Sequence, residues 1–270
     1  MVYSLSRMKK MIKINKLFIF IFYTSLVYSA DNNITAIGIM EKVINAPKPI
    51  SSISEIELEI VRKRSGKTKR KTRAFLKYDK QYSSGDHKKK SLVKFLKPKS
   101  INGTGLLSWT KTDGSTDQWF FLPKLKMAKR VKSKQKGKSF MATDFIYEDL
   151  ESRSINDDTF AMDGMEKVDN YNCIVIFSTP IKKSSYWGKK IFVDERLLQI
   201  RKIEFFSNES VLDKTLFIKE IINKGDYWLP TVLEMHKSNG NHTIMRVEAF
   251  KPDADLDDEI FTESFLTQQD

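Results

Sequence analysis

Six runs of β-branched and aromatic residues, at positions 171–179, 185–194, 197–206, 215–223, 227–237 and 241–250, succeed one another with turn-forming residues between them. A turn signal about every ten residues leaves no room for the crossover helices that parallel strands need, so this part of the chain reads as an antiparallel meander. Asp194, Glu195 and Arg196 form one such hairpin turn. In the fourth run, large apolar groups (Leu216, Phe217, Ile218, Ile221, Ile222) occupy both faces. A strand of that kind belongs to a sheet covered on one side and filled on the other.

The amino-terminal part continues the pattern. Ile56, Leu58 and Ile60 alternate with Glu55, Glu57 and Glu59, a period of two with one wet face. Ser65 and Gly66 turn the chain into a second strand over 72–78. Upstream, Ile34, Ile37, Met40, Val43 and Ile44 recur at helical spacing and stop before Pro47 and Pro49. This predicts an amphipathic helix over 34–46, which packs on the sheet or closes a ligand cavity in it. Asp157, Asp158, Asp163, Gly164 and Asn170 mark loops. Residues 251–270 hold seven acids against one Lys, and Asp257, Asp258 and Glu259 precede Ile260, Phe261 and Phe265. A short helix with acids at its positive end follows. Asp253, Asp255 and Asp257 lack the glycine and distal Glu of a calcium loop, so no metal is expected there.

Residues 103–150 bring three chemistries side by side. Two short strands, 105–111 and 117–122, are joined by Thr112, Asp113, Gly114 and Ser115. Leu107, Trp109, Trp119 and Phe121 recur at every second position, so each pair projects from one face of its strand, as a wall. Lys124, Lys126, Lys129, Arg130, Lys132, Lys134, Lys136 and Lys138 follow with no acid among them, a run that stays solvated as a rim or loop. Phe140, Met141, Phe145 and Tyr147 come next, spaced to fall mostly on one side of a short helix that would cover the wall.

Positions 62–99 carry sixteen Lys or Arg against Asp79 and Asp86. Nucleic-acid binding would need aromatics interleaved on the basic face, and Phe75, Tyr78, Tyr82 and Phe95 are few. Anionic lipid headgroups or a membrane surface are the more natural partners. Residues 1–30 combine five basic residues, an eleven-residue apolar run from Leu17 to Val27 and a small-residue end at Ser29 and Ala30. That is the pattern of a cleaved signal peptide, and the apolar run is too short to span about 30 Å of hydrocarbon. Cleavage fits after Ser29 or after Ala30. Taking away five bases and no acid lowers the formal charge from +13 to +8. Residues 31–270 are long enough for one large β-rich domain. The lone Cys173 lies in an apolar strand and reads as a buried, inert thiol.

The order Gly103, Gly105, Leu106, Leu107, Trp109, then Trp119 to Pro123, then Ser139 to Leu150 resembles the LolA-like family of outer-membrane lipoprotein-sorting proteins. The likeness is dense over about fifty residues and looser to the carboxyl end. Ala142 departs from it, standing where the family carries Gly. The resemblance implies a mainly β fold, a half-open antiparallel β-barrel with helices covering the concave side and an acyl chain or lipid between them. Ligand-binding residues would then be Leu107, Trp109, Trp119, Phe121, Phe140, Met141, Phe145 and Tyr147, with the basic run as rim.

Catalytic signatures are missing. His87, His236 and His242 are scattered, with neither zinc spacing nor a nucleophile elbow, and the Gly103, Thr104, Gly105 triplet lacks the remainder of a phosphate loop and reads as a strand-entry bend. The expectation is a periplasmic, non-catalytic carrier of a lipid or of lipoprotein acyl chains, with no cofactor. Its partners would include an anionic membrane surface or a transporter or acceptor, but no nucleic acid. An RseB-like sensor, marked by a second carboxyl-terminal domain, is the alternative, and a hydrolase of envelope lipids stands third.

Overall fold

The computed structural model describes residues 35–268 except Ser152. The expected signal peptide lies outside the described residues. The strands are β1 (Ser51–Arg64), β2 (Lys67–Gln81), β3 (His87–Lys97), β4 (Gly105–Lys111), β5 (Thr116–Leu122), β6 (Met127–Arg130) and β7 (Asp158–Val168). They continue as β8 (Tyr171–Pro180), β9 (Gly188–Asp194), β10 (Ile200–Asn208), β11 (Val211–Lys224), β12 (Tyr227–Lys237) and β13 (His242–Pro252). Two α-helices flank them, α1 (Ala36–Ile44) and α2 (Glu263–Thr267).

All thirteen strands form one sheet in the order β6-β5-β4-β3-β2-β1-β13-β12-β11-β10-β9-β8-β7. Every neighbour is also a neighbour in sequence except at the antiparallel seam between β1 and β13, where Leu58 faces Met245. The edges β6 and β7 do not pair, so the fold is an antiparallel barrel left half open. Local chemistry sets the corners. At the β1–β2 hairpin, Ser65 and Gly66 both take positive φ (50° and 74°), the primed turn that matches strand twist.

The strand expected at 185–194 begins later, at Gly188, and ends as expected at Asp194; the one expected at 197–206 is shifted to Ile200–Asn208, and the strand read as 72–78 extends to Lys67–Gln81. Residues 158–168, expected as loop, are the edge strand β7. Its register slips between Met162 and Met165, with Gly164 at φ 91° in the bulge, and an edge strand tolerates the Asp and Gly that a central strand would not. The expected helix over 139–150 is absent. In its place, Ser139 and Ile146 form an isolated β-bridge, followed by a single 3-10 turn at Tyr147–Leu150.

Because side chains alternate, strands β1 to β5 have two apolar faces. The inner face carries Ile56, Leu58, Phe75, Val93, Phe95 and Leu106 as one cluster. The outer face carries Leu92, Leu107 and Phe121, packed by Ala254, Leu256, Phe261 and Leu266 of the carboxyl-terminal segment. Gly105 makes that second packing possible, since a Cβ there would lie 2.5 Å from Leu266 Cδ1. On the far half of the sheet, α1 is capped by the Thr35 hydroxyl, which accepts from Gly38 N at 3.1 Å. It buries Ala36, Ile39 and Met40 against Ile176, Ile191 and Val193. Cys173 is buried and free, and burial pushes its thiol up.

Candidate functional site

The inner face encloses a cavity of about 560 Å³ between the two halves of the sheet. From β1 to β4 it is lined by Ile56, Leu58, Phe75, Val93 and Leu106. The other half contributes Ile191, Ile200, Ile203, Phe205, Leu216, Leu233 and Met235. Met40 and Ile44 of α1 form part of its cover. A second concavity of about 710 Å³ adjoins it, sharing Ile44, Lys89, Arg153 and Ser154. Both volumes fall within the range of small-molecule sites, roughly 300–1,000 Å³.

The chain between β6 and β7 crosses this inner side and is fastened to it. Phe140 N donates to Phe145 O at 2.8 Å, closing a tight loop in which Met141 and Ala142 take left-handed φ of 49° and 56°. That is the backbone condition a glycine meets most easily, so Ala142 is strained at the position where the resemblance implies Gly. Phe140 packs against Phe95 and Tyr147, with ring centroids 5.9 and 5.5 Å apart. Four acids of this segment are then paired, two of them with strands of the sheet. Asp144 accepts from Arg62 Nη1 at 2.8 Å and from the Thr243 hydroxyl at 2.7 Å. Asp149 accepts from Lys214 Nζ and from the Tyr186 hydroxyl, both at 2.6 Å. Glu148 accepts from Ser185 N at 2.7 Å, and Glu151 pairs with Lys136 at 2.7 Å. Lys214 is fully buried, and its Nζ also donates to Asp144 O at 3.1 Å. Breaking a buried pair of this kind by removing one partner costs about 3–5 kcal/mol.

Burial and the Asp149 charge push the Tyr186 hydroxyl far above its ordinary range. Burial would raise Glu148, but hydrogen bonds from Ser184 and Ser185 outweigh it and hold the carboxyl below its usual value. Lys189 faces the same group, and burial followed by the nearby Arg153 guanidinium lowers its ammonium. At the other end of the cavity, Asp79 lies between Lys89, at 2.8 Å, and Lys77. Burial opposes ionisation of Asp79, yet the two ammonium groups prevail and keep it well below the usual carboxylate range. Burial lowers Lys77 in turn, although Asp79 offsets part of that. The Lys77 side chain is 34 % exposed and faces the cavity.

Of the eight residues expected to bind ligand, Phe140 and Phe145 line the cavity. Met141 and Tyr147 pack against the inner cluster beside it. Leu107, Trp109, Trp119 and Phe121 do stand together, but on the outer face under the carboxyl-terminal segment, with Trp109 Nε1 donating to Phe261 O at 2.9 Å. The displacement is one residue of parity. Leu106 and Ser108 face inward, so their neighbours Leu107 and Trp109 face out. The basic run does not line either concavity: Lys124, Lys126, Lys129, Lys132, Lys134 and Lys138 are exposed. Arg130 pairs with Asp117 across the β5–β6 edge, and Lys136 is tied to Glu151. The inner wall of β2 and β3 was not singled out from sequence. Its signal was the odd-numbered set Phe75, Lys77, Asp79 on β2 and Lys89, Ser91, Val93, Phe95 on β3, hidden by the surrounding lysines.

A sheet curled around an apolar cavity, crossed by a fastened segment and half open at its edges, defines a LolA-like half-barrel. A family model described as that of an uncharacterised protein matches residues 87–268, well over half of the chain, and the chain belongs to that family. A DUF1329 family protein from Desulfovibrio piger is 25% identical with a TM-score of 0.78, over 86% of this chain and 97% of that one. A domain from Vibrio parahaemolyticus, described as belonging to an outer membrane lipoprotein-sorting protein, is 26% identical with a TM-score of 0.79, over 86% and 98% of the two chains. A LolA superfamily protein from Nitrosomonas europaea shares the fold at 22% identity and a TM-score of 0.65, over 86% and 99%. No curated protein matches the chain.

Proposed function

We propose that this protein is a periplasmic, non-catalytic carrier that takes a lipid or the acyl chains of a lipoprotein into the inner cavity and moves them between envelope membranes. The observation that carries the reading is the 560 Å³ cavity, walled by aliphatic and aromatic side chains on both halves of the sheet and only partly filled by Phe140, Phe145 and the α1 residues Met40 and Ile44. Apolar surface removed from water contributes about 25 cal/mol per Å², which supplies the driving force for uptake of a hydrocarbon chain. No helix among the described residues is long and apolar enough to cross a membrane. Export is proposed from the composition of residues 1–30.

The test is mass spectrometry of lipid extracted from protein purified natively from its host envelope, paired with a cavity-filling variant. Wild-type protein is expected to carry stoichiometric lipid, and Leu106→Trp, which projects bulk into the cavity, is expected to carry little while remaining folded. Empty wild-type protein that also fails to take up a lipid probe in vitro overturns the carrier reading.

A further inference from the structure

Three adjacent strands change polarity along the inner wall, β2 one inward position before β3 and β4. Along β2 the inward positions read Phe75, Lys77, Asp79, along β3 they read Phe95, Val93, Ser91, Lys89, and along β4 they read Leu106, Ser108, Thr110. At about 3.4 Å per residue, an aliphatic and aromatic zone gives way to hydroxyl and ammonium groups within some 20 Å. The cavity is thus amphiphilic by construction, with Lys77, Lys89, Ser91 and Ser108 at the polar end of the lining that Phe75, Val93 and Leu106 begin.

The charges at that end do not balance. Lys77 and Lys89 share the single carboxylate Asp79. Lys48, from the α1–β1 connection, lines the adjoining concavity and is lowered first by burial and then by the Lys89 charge. Lys88 lines the same mouth, where Glu41 on α1 is the other acid. Elsewhere in the cavity the signs cancel: Arg153 and Lys189 face Asp158 and Glu148, and Lys214 pairs with Asp149. The excess of cation therefore sits at the junction of the two concavities, where Lys89 belongs to both.

We propose that the cavity selects amphiphiles with a negatively charged headgroup, which is seated against Lys77 and Lys89 with Lys48 at the mouth while the acyl chain runs over Phe75 and Leu106. This rests on the carrier reading and narrows its cargo to acidic lipids. A phosphate or carboxylate accepts charge-assisted hydrogen bonds from both lysines, which bond more strongly than neutral donors do. It also supplies the negative charge that Asp79 alone does not.

Two soluble probes with the same hydrocarbon chain, dodecyl phosphate and 1-dodecanol, test it by calorimetric titration, with inorganic phosphate as competitor. The full protein is expected to bind dodecyl phosphate at least about tenfold more tightly than dodecanol, as one charge-assisted contact would give. Lys77→Ser with Lys89→Ser is expected to abolish the preference and leave dodecanol binding unchanged. Because that pair strips the buried Asp79 of its partners, the triple variant Lys77→Gln, Asp79→Asn, Lys89→Gln provides a neutral replacement and is expected to behave alike. Equal affinity for the two probes overturns the headgroup inference but not the carrier reading. Binding of neither overturns both. Tight binding of inorganic phosphate that displaces dodecyl phosphate overturns the lipid source and makes the cluster a site for the free ion.

Discussion

The same few strands bury apolar side chains on both of their faces, and the two burials end differently. On the outer face of β3 to β5, Leu92, Leu107 and Phe121 are sealed by the chain's own carboxyl-terminal segment, with Phe261 and Leu266 inaccessible to solvent. On the inner face, Phe75, Val93 and Leu106 are as apolar, but their cover stops at Phe140 and Phe145 and leaves a cavity. Hydrophobicity alone does not mark a site. What marks it is apolar surface for which the chain supplies no complement.

This contrast gives three outcomes, each separating a structural face from a binding face. The largest is for Phe261→Ala, which empties a fully buried position of the outer cluster and is expected to lower stability by about 3–5 kcal/mol in denaturant unfolding, with lipid affinity of the folded fraction unchanged. An equal loss of affinity would show that the two faces are coupled. Next is Gly105→Ala, whose added methyl meets Leu266 and must displace it, at an expected cost of about 1–3 kcal/mol. Ligand uptake is expected to survive it, because Gly105 does not line the cavity. The smallest is for Trp109→Phe, which loses one hydrogen bond to Phe261 O and should cost about 1 kcal/mol. Lipid binding should leave the fluorescence difference between this variant and the parent unaltered. A ligand-dependent Trp109 signal would return that ring to the binding site.

Much of the architecture was legible in the chain because strand periodicity survives where one face is wet. Ile56, Leu58 and Ile60 lie on the inner side as their alternation with glutamates requires, and Tyr227–Lys237 is a strand over the span its pattern marks. The face of the cavity wall was not legible, for a physical reason. In Gly105 to Lys111 both parities are apolar enough to be buried, so size pointed to Trp109 and Trp119 while the cavity took Leu106. The apolar Phe261 and Phe265 in the tail were the available clue, since they need a face to cover. Residues 139–150 misled differently. Aromatic spacing there imitates a helical turn, but hydrogen bonds from Arg62, Lys214 and Tyr186 to Asp144 and Asp149 hold the segment in a looped path that no local pattern encodes.

The edge strands β6 and β7 bear on how freely the half-barrel can change its girth. A closed barrel has a fixed girth, since enlarging it means tearing a ladder of main-chain pairs. Here no such ladder joins β6 to β7, and residues 131–151 lie across the gap, held to the walls through the side chains of Asp144, Glu148 and Asp149. The aperture is therefore a hoop whose girth no main-chain ladder fixes, and widening it would trade those side-chain contacts while the sheet keeps every rung.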